Sequence, residues 1–314
     1  MGKLAYLYHP LFEEHNPGAG HPESPQRLQN IQTFLEHKGF FQKCTMRQPT
    51  PATKDLLALN HDPVYIDFIL RQKGAPRQIV DGGDTVLSAF SVDAALLAAG
   101  AAIKAVDLIF DEGYDKVFAA LRPPGHHALY DRAMGFCVFN NIAIAARYAL
   151  KFKNLQRILI IDWDVHHGNG TQEAFYDDPA VFYLSLHQFP FYPMSGTKSE
   201  TGRGAGAGFT RNIPLSAGST DDTYVQNLEQ ALHDLEKTFQ PRLILISAGF
   251  DAYYQDPIGG MHVTEQGFYK LTEITARFAQ RHCEGHIISF LEGGYHLQGL
   301  AECVHKHLMC MLKH

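Results

Sequence analysis

The sequence predicts an α/β protein of three layers, with a central, mostly parallel sheet covered by helices on both faces. Three observations carry that prediction. Residues 117–121, 158–161, 243–247 and 286–291 are short apolar runs without polar alternation, as expected of strands buried on both faces. Longer segments with helical periodicity alternate with them, which implies right-handed βαβ units. No repeat or compositional break divides the 314 residues, and the 45% apolar content suffices for one large core, so residues 1–314 are expected to form a single domain.

The elements follow in chain order. Residues 1–4 enter a short strand-like run. Ser24 and Pro25 open an amphipathic stretch to Leu35, a cap residue followed by Pro at the first helical position. Asp62 and Pro63 open a second, to Leu70. Residues 84–110 hold a long Ala/Leu-rich pattern suited to packing on the sheet, and 139–152 another. A helix predicted over 221–239 stops before Pro241. Segments 264–283 and 301–312 complete the set. Residues 11–25 and 188–210 are irregular and rich in Pro and Gly; loops this long in a compact domain are often functional, and both are expected to wall the site.

Bulk properties exclude several classes. A formal net charge of −6 without a Lys/Arg cluster argues against direct nucleic-acid binding. No apolar stretch approaches the roughly 18 residues of a membrane span, and the N-terminus lacks a signal-peptide pattern. Five scattered cysteines without CxxC spacing fit reduced thiols, so a cytoplasmic location is expected. Histidine is frequent, at 18 residues; His37, His61, His233, His282, His305 and His307 are expected at surface or structural positions.

The chemistry concentrates at the strand ends. The run 158–161 leads into Asp162-Trp163-Asp164-Val165-His166, and strand alternation would place Asp162, Asp164 and His166 on one side. Unpaired carboxylates are costly to bury, and a divalent metal, with zinc suited to mixed O/N ligands, supplies the missing charge. The competing reading is a cap or turn cluster opening a helix near residues 168–170. The other three runs end in Arg122-Pro-Pro-Gly-His126-His127, Ala248-Gly-Phe-Asp251 and Glu292-Gly-Gly-Tyr295. Ligands of open α/β sheets bind beyond the carboxyl ends of the strands, so all four runs would deliver polar groups to one edge.

These motifs, with His21-Pro-Glu-Ser-Pro-Gln-Arg27 and Met134-Gly-Phe-Cys-Val-Phe-Asn140, resemble the zinc-dependent histone deacetylase family, in its class II branch and related bacterial enzymes. The likeness runs from about His9 to Leu297. It implies the arginase-like α/β fold and puts Asp164, His166 and Asp251 on zinc, with Asp162 bonded instead to His126. It gives His127 the role of general base and acid, oriented by Asn169, and gives His126 and Tyr295 the stabilisation of developing charge. Gly135, Phe136, Phe191 and Tyr192 would line an acyl-lysine tunnel, with Ile258 as a gate at its mouth. Arg27 would lie near an internal cavity. Asp162, Ser185 and Leu186, with the carbonyls of Asp164 and His166, would hold a structural potassium.

Departures also inform. Asn169 replaces the class I Asp and brings no charge to raise the imidazole pKa. Tyr295 is present where some class II enzymes carry His, so full deacetylase chemistry is expected. His296 stands where Asn is common, without a physical reason visible in the sequence. The extensions and nuclear signals of large eukaryotic relatives are expected to be missing. The resemblance implies an amidohydrolase acting on acyl-lysine proteins or peptides, histones among the candidates. An acetylpolyamine deacetylase and a catalytically silent acyl-lysine binder are the alternatives. The polyamine-specific member of class II has a glutamate where Ile258 stands, so peptide substrates are expected to be preferred.

Overall fold

The computed structural model describes residues 2–314. Ten strands are present among them: β1 Leu4–Leu7, β2 Thr45–Arg47, β3 Gln78–Ile79, β4 Val86–Leu87, β5 Lys116–Ala119, β6 Ile158–Asp162, β7 Val181–Gln188, β8 Thr210–Leu215, β9 Leu243–Ala248 and β10 Ile287–Leu291. Eight form one sheet in the order β2-β1-β5-β10-β9-β6-β7-β8, and every pairing in it is parallel. The sheet is thus fully rather than mostly parallel. The four apolar runs of the sequence are β5, β10, β9 and β6, which are contiguous at its centre. Each is buried at every residue, because helices cover both of its faces.

The helices are α1 Gln26–His37, α2 Lys54–Leu57, α3 Pro63–Leu70, α4 Ser91–Phe110, α5 Asn141–Phe152, α6 Asn169–Phe175, α7 Asp221–Leu235, α8 Glu265–His282 and α9 Leu297–Lys313. One group pairs α4 with α5; the other packs α1 on α9, α9 on α8 and α8 on α7. Helix α4 is buried along most of its length, and Gly100 lets it meet the backbone at Thr50, where a Cβ would overlap the carbonyl. Asp62 caps α3 by accepting from the Val64 N–H, with Pro63 at the first helical position as the sequence predicts.

Some boundaries differ from expectation. The pattern from residue 84 becomes helical only at Ser91, because β4 and a turn precede it. Helix α9 begins at Leu297, four residues before the predicted start. Its cap is His296, whose Nδ1 accepts from the Gly299 N–H at 3.0 Å. An Asn oxygen at this position would do the same, which gives the His-for-Asn replacement a physical reason. No helix of the described residues is long and apolar enough to cross a membrane.

Candidate active site

The site is built at the carboxyl ends of the four central strands. Beyond β5 the chain turns through Arg122-Pro-Pro-Gly into His126 and His127. Glu292, just past β10, holds this turn: its Oε2 accepts from the N–H groups of Gly125 at 2.8 Å and His126 at 3.2 Å. His126 Nδ1 lies 3.1 Å from Asp162 Oδ2, which also accepts from the Tyr183 hydroxyl at 3.1 Å. His127 Nδ1 lies 2.7 Å from Asn169 Oδ1.

Strand alternation does not extend past Asp162, where β6 ends. Asp162 therefore turns to His126 and Tyr183. Asp164 and His166, on the loop, instead meet Asp251 from the end of β9. This corrects the expectation that all three residues of the 162–166 stretch share one side. The donor atoms of Asp164, His166 and Asp251 lie within 4.8 Å of one another, and all three residues are buried. His166 Nδ1 is 3.0 Å from Asp164 Oδ1 and 3.1 Å from Asp251 Oδ2.

Two observations fit this triad to a cation. Asp251 Oδ1 accepts from the Val165 N–H at 2.8 Å, while its Oδ2 is buried and makes no well-aligned hydrogen bond, facing only His166 Nδ1 at 3.1 Å. Gly249 and Gly293 let the backbone pack directly against both carboxylates, so that no side chain intrudes: a Cβ on Gly249 would overlap Asp164 Oδ2, and one on Gly293 would overlap Asp251 Oδ2. The electrostatics agree. Burial alone would raise Asp164, but His126 and His166 hold its carboxyl far below the usual range. Burial and the Asp164 charge push Asp251 up to about 7. Burial opposes charge on His166, yet the two carboxylates raise it to about 10. A divalent ion would take the place of that proton, since ligating imidazole is neutral. The triad is a candidate metal site.

The two neighbouring imidazoles diverge. Burial disfavours charge on both. His126 is nevertheless raised to about 10 by Asp164, Asp162 and Glu292. His127, whose partner is a neutral amide, is lowered well below its ordinary value by burial and by His126 and His166. Burial raises the Tyr295 phenol well above its ordinary value, and the Arg27 guanidinium only partly offsets this.

A cavity of about 300 Å³ opens onto this cluster. Its lining includes His126, His127, Gly135, Phe136, His166, Phe191, Tyr192, Ile258 and Tyr295, so the predicted tunnel residues meet His126, His127 and Tyr295 there, while Asp162 and Asn169 stand outside the lining as partners of the two histidines. Phe191 stacks on His166, with ring centroids 5.2 Å apart, and Tyr192 meets His127 edge-on at 5.3 Å. Both irregular segments contribute. Residues 188–210 bring Phe191 and Tyr192, and His21 of the first packs edge-on to Phe136 at 4.8 Å. Arg27 lies behind the site: its Nε donates to the Gly294 carbonyl at 2.6 Å, and its guanidinium sits 5.0 Å from the Tyr295 ring centroid. Ser185 pairs in register with Asp162, and its hydroxyl lies 2.8 Å from His187 Nδ1.

Sequence reasoning missed Asp84, Glu292, Asp256 and Tyr183. Asp84 lines the cavity from the turn before β4. Asp256 accepts four backbone N–H groups; the Asp-Pro-Ile-Gly-Gly run in which it stands was a turn signal that could have revealed it.

Comparison with known proteins agrees with this geometry. Residues 21–311 match the histone deacetylase domain family. The chain belongs to this family. It is a hydrolase acting on amides. A probable deacetylase of Archaeoglobus fulgidus is 37% identical over 93% of this chain and 81% of its own. The human polyamine deacetylase HDAC10 is 38% identical over 90% of this chain but only 43% of its own. The solved structure of the HDA15 HD domain superposes with a TM-score of 0.94 at 34% identity, covering 99% of this chain and 88% of that one.

Proposed function

We propose that this family member is a zinc-dependent lysine deacylase acting on proteins or peptides. The observation that carries the reading is a single cavity lined by two histidines with opposite partners, a tyrosine and His166, the last being part of a buried candidate metal triad with Asp164 and Asp251. Asp164, His166 and Asp251 would hold the zinc, three protein ligands that leave an open position. When bound, zinc would polarise the acyl carbonyl and acidify a water.

The chain's own groups then handle positions and protons. The Asn169 amide oxygen accepts from His127 Nδ1–H, which leaves the Nε2 lone pair free. With its pKa held low, His127 is neutral and Nε2 takes the proton of the attacking water. The same proton then passes to the leaving amine nitrogen as the C–N bond breaks, giving the free amine and the carboxylic acid. His126, paired with Asp162, adds electrostatic stabilisation. The Tyr295 hydroxyl remains protonated at neutral pH and donates to the carbonyl oxygen as its charge develops. Phe136 and Phe191 enclose the lysine methylenes and exclude water. Asp162, Ser185 and Leu186, with the carbonyls of Asp164 and His166, are proposed to hold a structural potassium.

Ile258 at the cavity favours a neutral peptide backbone, because its apolar side chain offers a second ammonium no charge to replace lost hydration. Asp84 supports the second reading, an acetylpolyamine deacetylase, because its carboxylate lines the same cavity. The deciding experiment compares kcat/KM for acetyl-lysine peptides, longer acyl-lysine peptides and N-acetylated polyamines on zinc-loaded wild type, Ile258→Glu and Asp84→Asn. Wild type is expected to favour peptides and Ile258→Glu to move toward polyamines. A wild type that favours polyamines, and loses that preference in Asp84→Asn, would replace the first reading by the second.

A further inference from the structure

Five residues after the metal-site residue Asp251, the buried side chain of Asp256 turns back into the protein. Its Oδ1 accepts from the N–H groups of Ile258 at 3.0 Å and Gly259 at 3.3 Å. Its Oδ2 accepts from those of Tyr295 at 2.7 Å and His296 at 3.2 Å. One carboxylate thus satisfies two pairs of backbone donors from segments almost forty residues apart. The first pair belongs to the tunnel mouth, the second to the backbone that carries the tyrosine. Gly259 also lies so close to the Asp251 carbonyl that a Cβ there would overlap it. Charge-assisted bonds of this kind are stronger than neutral ones, and losing an acceptor would leave two partly buried donors unpaired.

We propose that Asp256 is a positioning residue that fastens the Ile258–Gly259 rim and the Tyr295 backbone to one carboxylate, so that the substrate's entrance and its oxyanion donor are held in a fixed relation. This rests on the reading of Tyr295 as that donor. Asp256 touches neither substrate nor metal; it acts through Tyr295. Asparagine at this position would keep the size but replace one acceptor by an N–H₂ group that faces two N–H donors. The tyrosine would lose its support without losing its hydroxyl.

The test is a double-mutant cycle on zinc-loaded enzyme: wild type, Asp256→Asn, Tyr295→Phe and the double variant, with kcat on an acetyl-lysine peptide and zinc content measured for each. Asp256→Asn is expected to lower kcat roughly 10- to 100-fold, the scale of a misplacement near 1 Å. In the Tyr295→Phe background the same change should cost no more than about 2-fold, the scatter of independent effects. An equal loss in both backgrounds, an undamaged Asp256→Asn, or loss of zinc from that variant would each overturn the proposal alone. A Tyr295→Phe enzyme with wild-type kcat would overturn the functional reading and this coupling with it. Hydrogen exchange on the unmodified enzyme gives a check that needs no variant to fold. The amides of Ile258, Gly259, Tyr295 and His296 should share protection within about an order of magnitude, as one cooperative unit does. A rim that exchanges like a free loop beside a protected Tyr295 would overturn the proposal.

Discussion

Replacing Tyr295 by Phe is a clean perturbation because its hydroxyl makes no hydrogen bond to the described residues. No buried protein group loses a partner when the oxygen is removed. The ring's neighbours, the Arg27 guanidinium at 5.0 Å and Phe136 at 6.1 Å, are kept. Stability should therefore change by no more than about 0.5 kcal/mol, the scale of a substitution that disturbs no packing. The hydroxyl meets a charge only as the acyl oxygen becomes an oxyanion, so its loss falls on the transition state. One such donor is worth about 2.7–4 kcal/mol, or roughly 10²–10³ in kcat. Steady-state kinetics on an acetyl-lysine peptide should show kcat reduced on that scale and KM changed little. Near-normal kcat in Tyr295→Phe would refute the assignment. A raised KM with unchanged kcat would show that the hydroxyl binds the ground state instead.

Two further predictions test the charge balance. Asn169→Asp places a carboxylate against His127 Nδ1, 2.7 Å away, where it favours the protonated imidazole; the base must be neutral, so the acid limb of the kcat/KM–pH profile should move to higher pH, and an unmoved limb would contradict the role of His127. His307, buried between the hydroxyls of Thr272 and Ser289, is lowered by burial to about 3. The unfolded chain binds this proton near pH 6.5 and the folded chain does not, so stability is complete above that pH and is lost as pH falls toward 3. At pH 5 the loss is about 2 kcal/mol, 1.5 pH steps at 1.36 kcal/mol each. Urea unfolding should therefore show that His307→Gln, although less stable at pH 7, loses about 2 kcal/mol less than wild type between pH 7 and pH 5; an equal loss would refute it.

What the sequence made legible follows from burial. β5, β6, β9 and β10 read clearly because helices on both faces require apolar side chains at every position. β7 is also fully buried, but Ser185 and His187 interrupt its apolar run; they bond to each other, a compensation invisible in one dimension. β8 and β2 are the sheet's edges, where Pro214 and a three-residue length blur the pattern. In the site, the types and neighbours of His126, His127 and Tyr295 pointed to one strand edge, and the three do line one cavity. Spacing could not separate Asp162 from Asp164, because the choice depends on where β6 ends and on His126 arriving from another strand. Glu292 and Asp256 act by accepting backbone N–H groups, a role that depends on folded proximity and leaves little trace in spacing.

Asp164, His166 and Asp251 are proposed to hold one catalytic zinc. Metal analysis of wild type and Asp251→Ala, paired with their activity on an acetyl-lysine peptide, tests it most directly. Wild type should carry one zinc per chain and lose activity on chelation and regain it on zinc addition. Asp251→Ala should lose both metal and activity, because it removes the buried carboxylate oxygen that faces His166. Unchanged zinc content and activity in the variant would contradict the account.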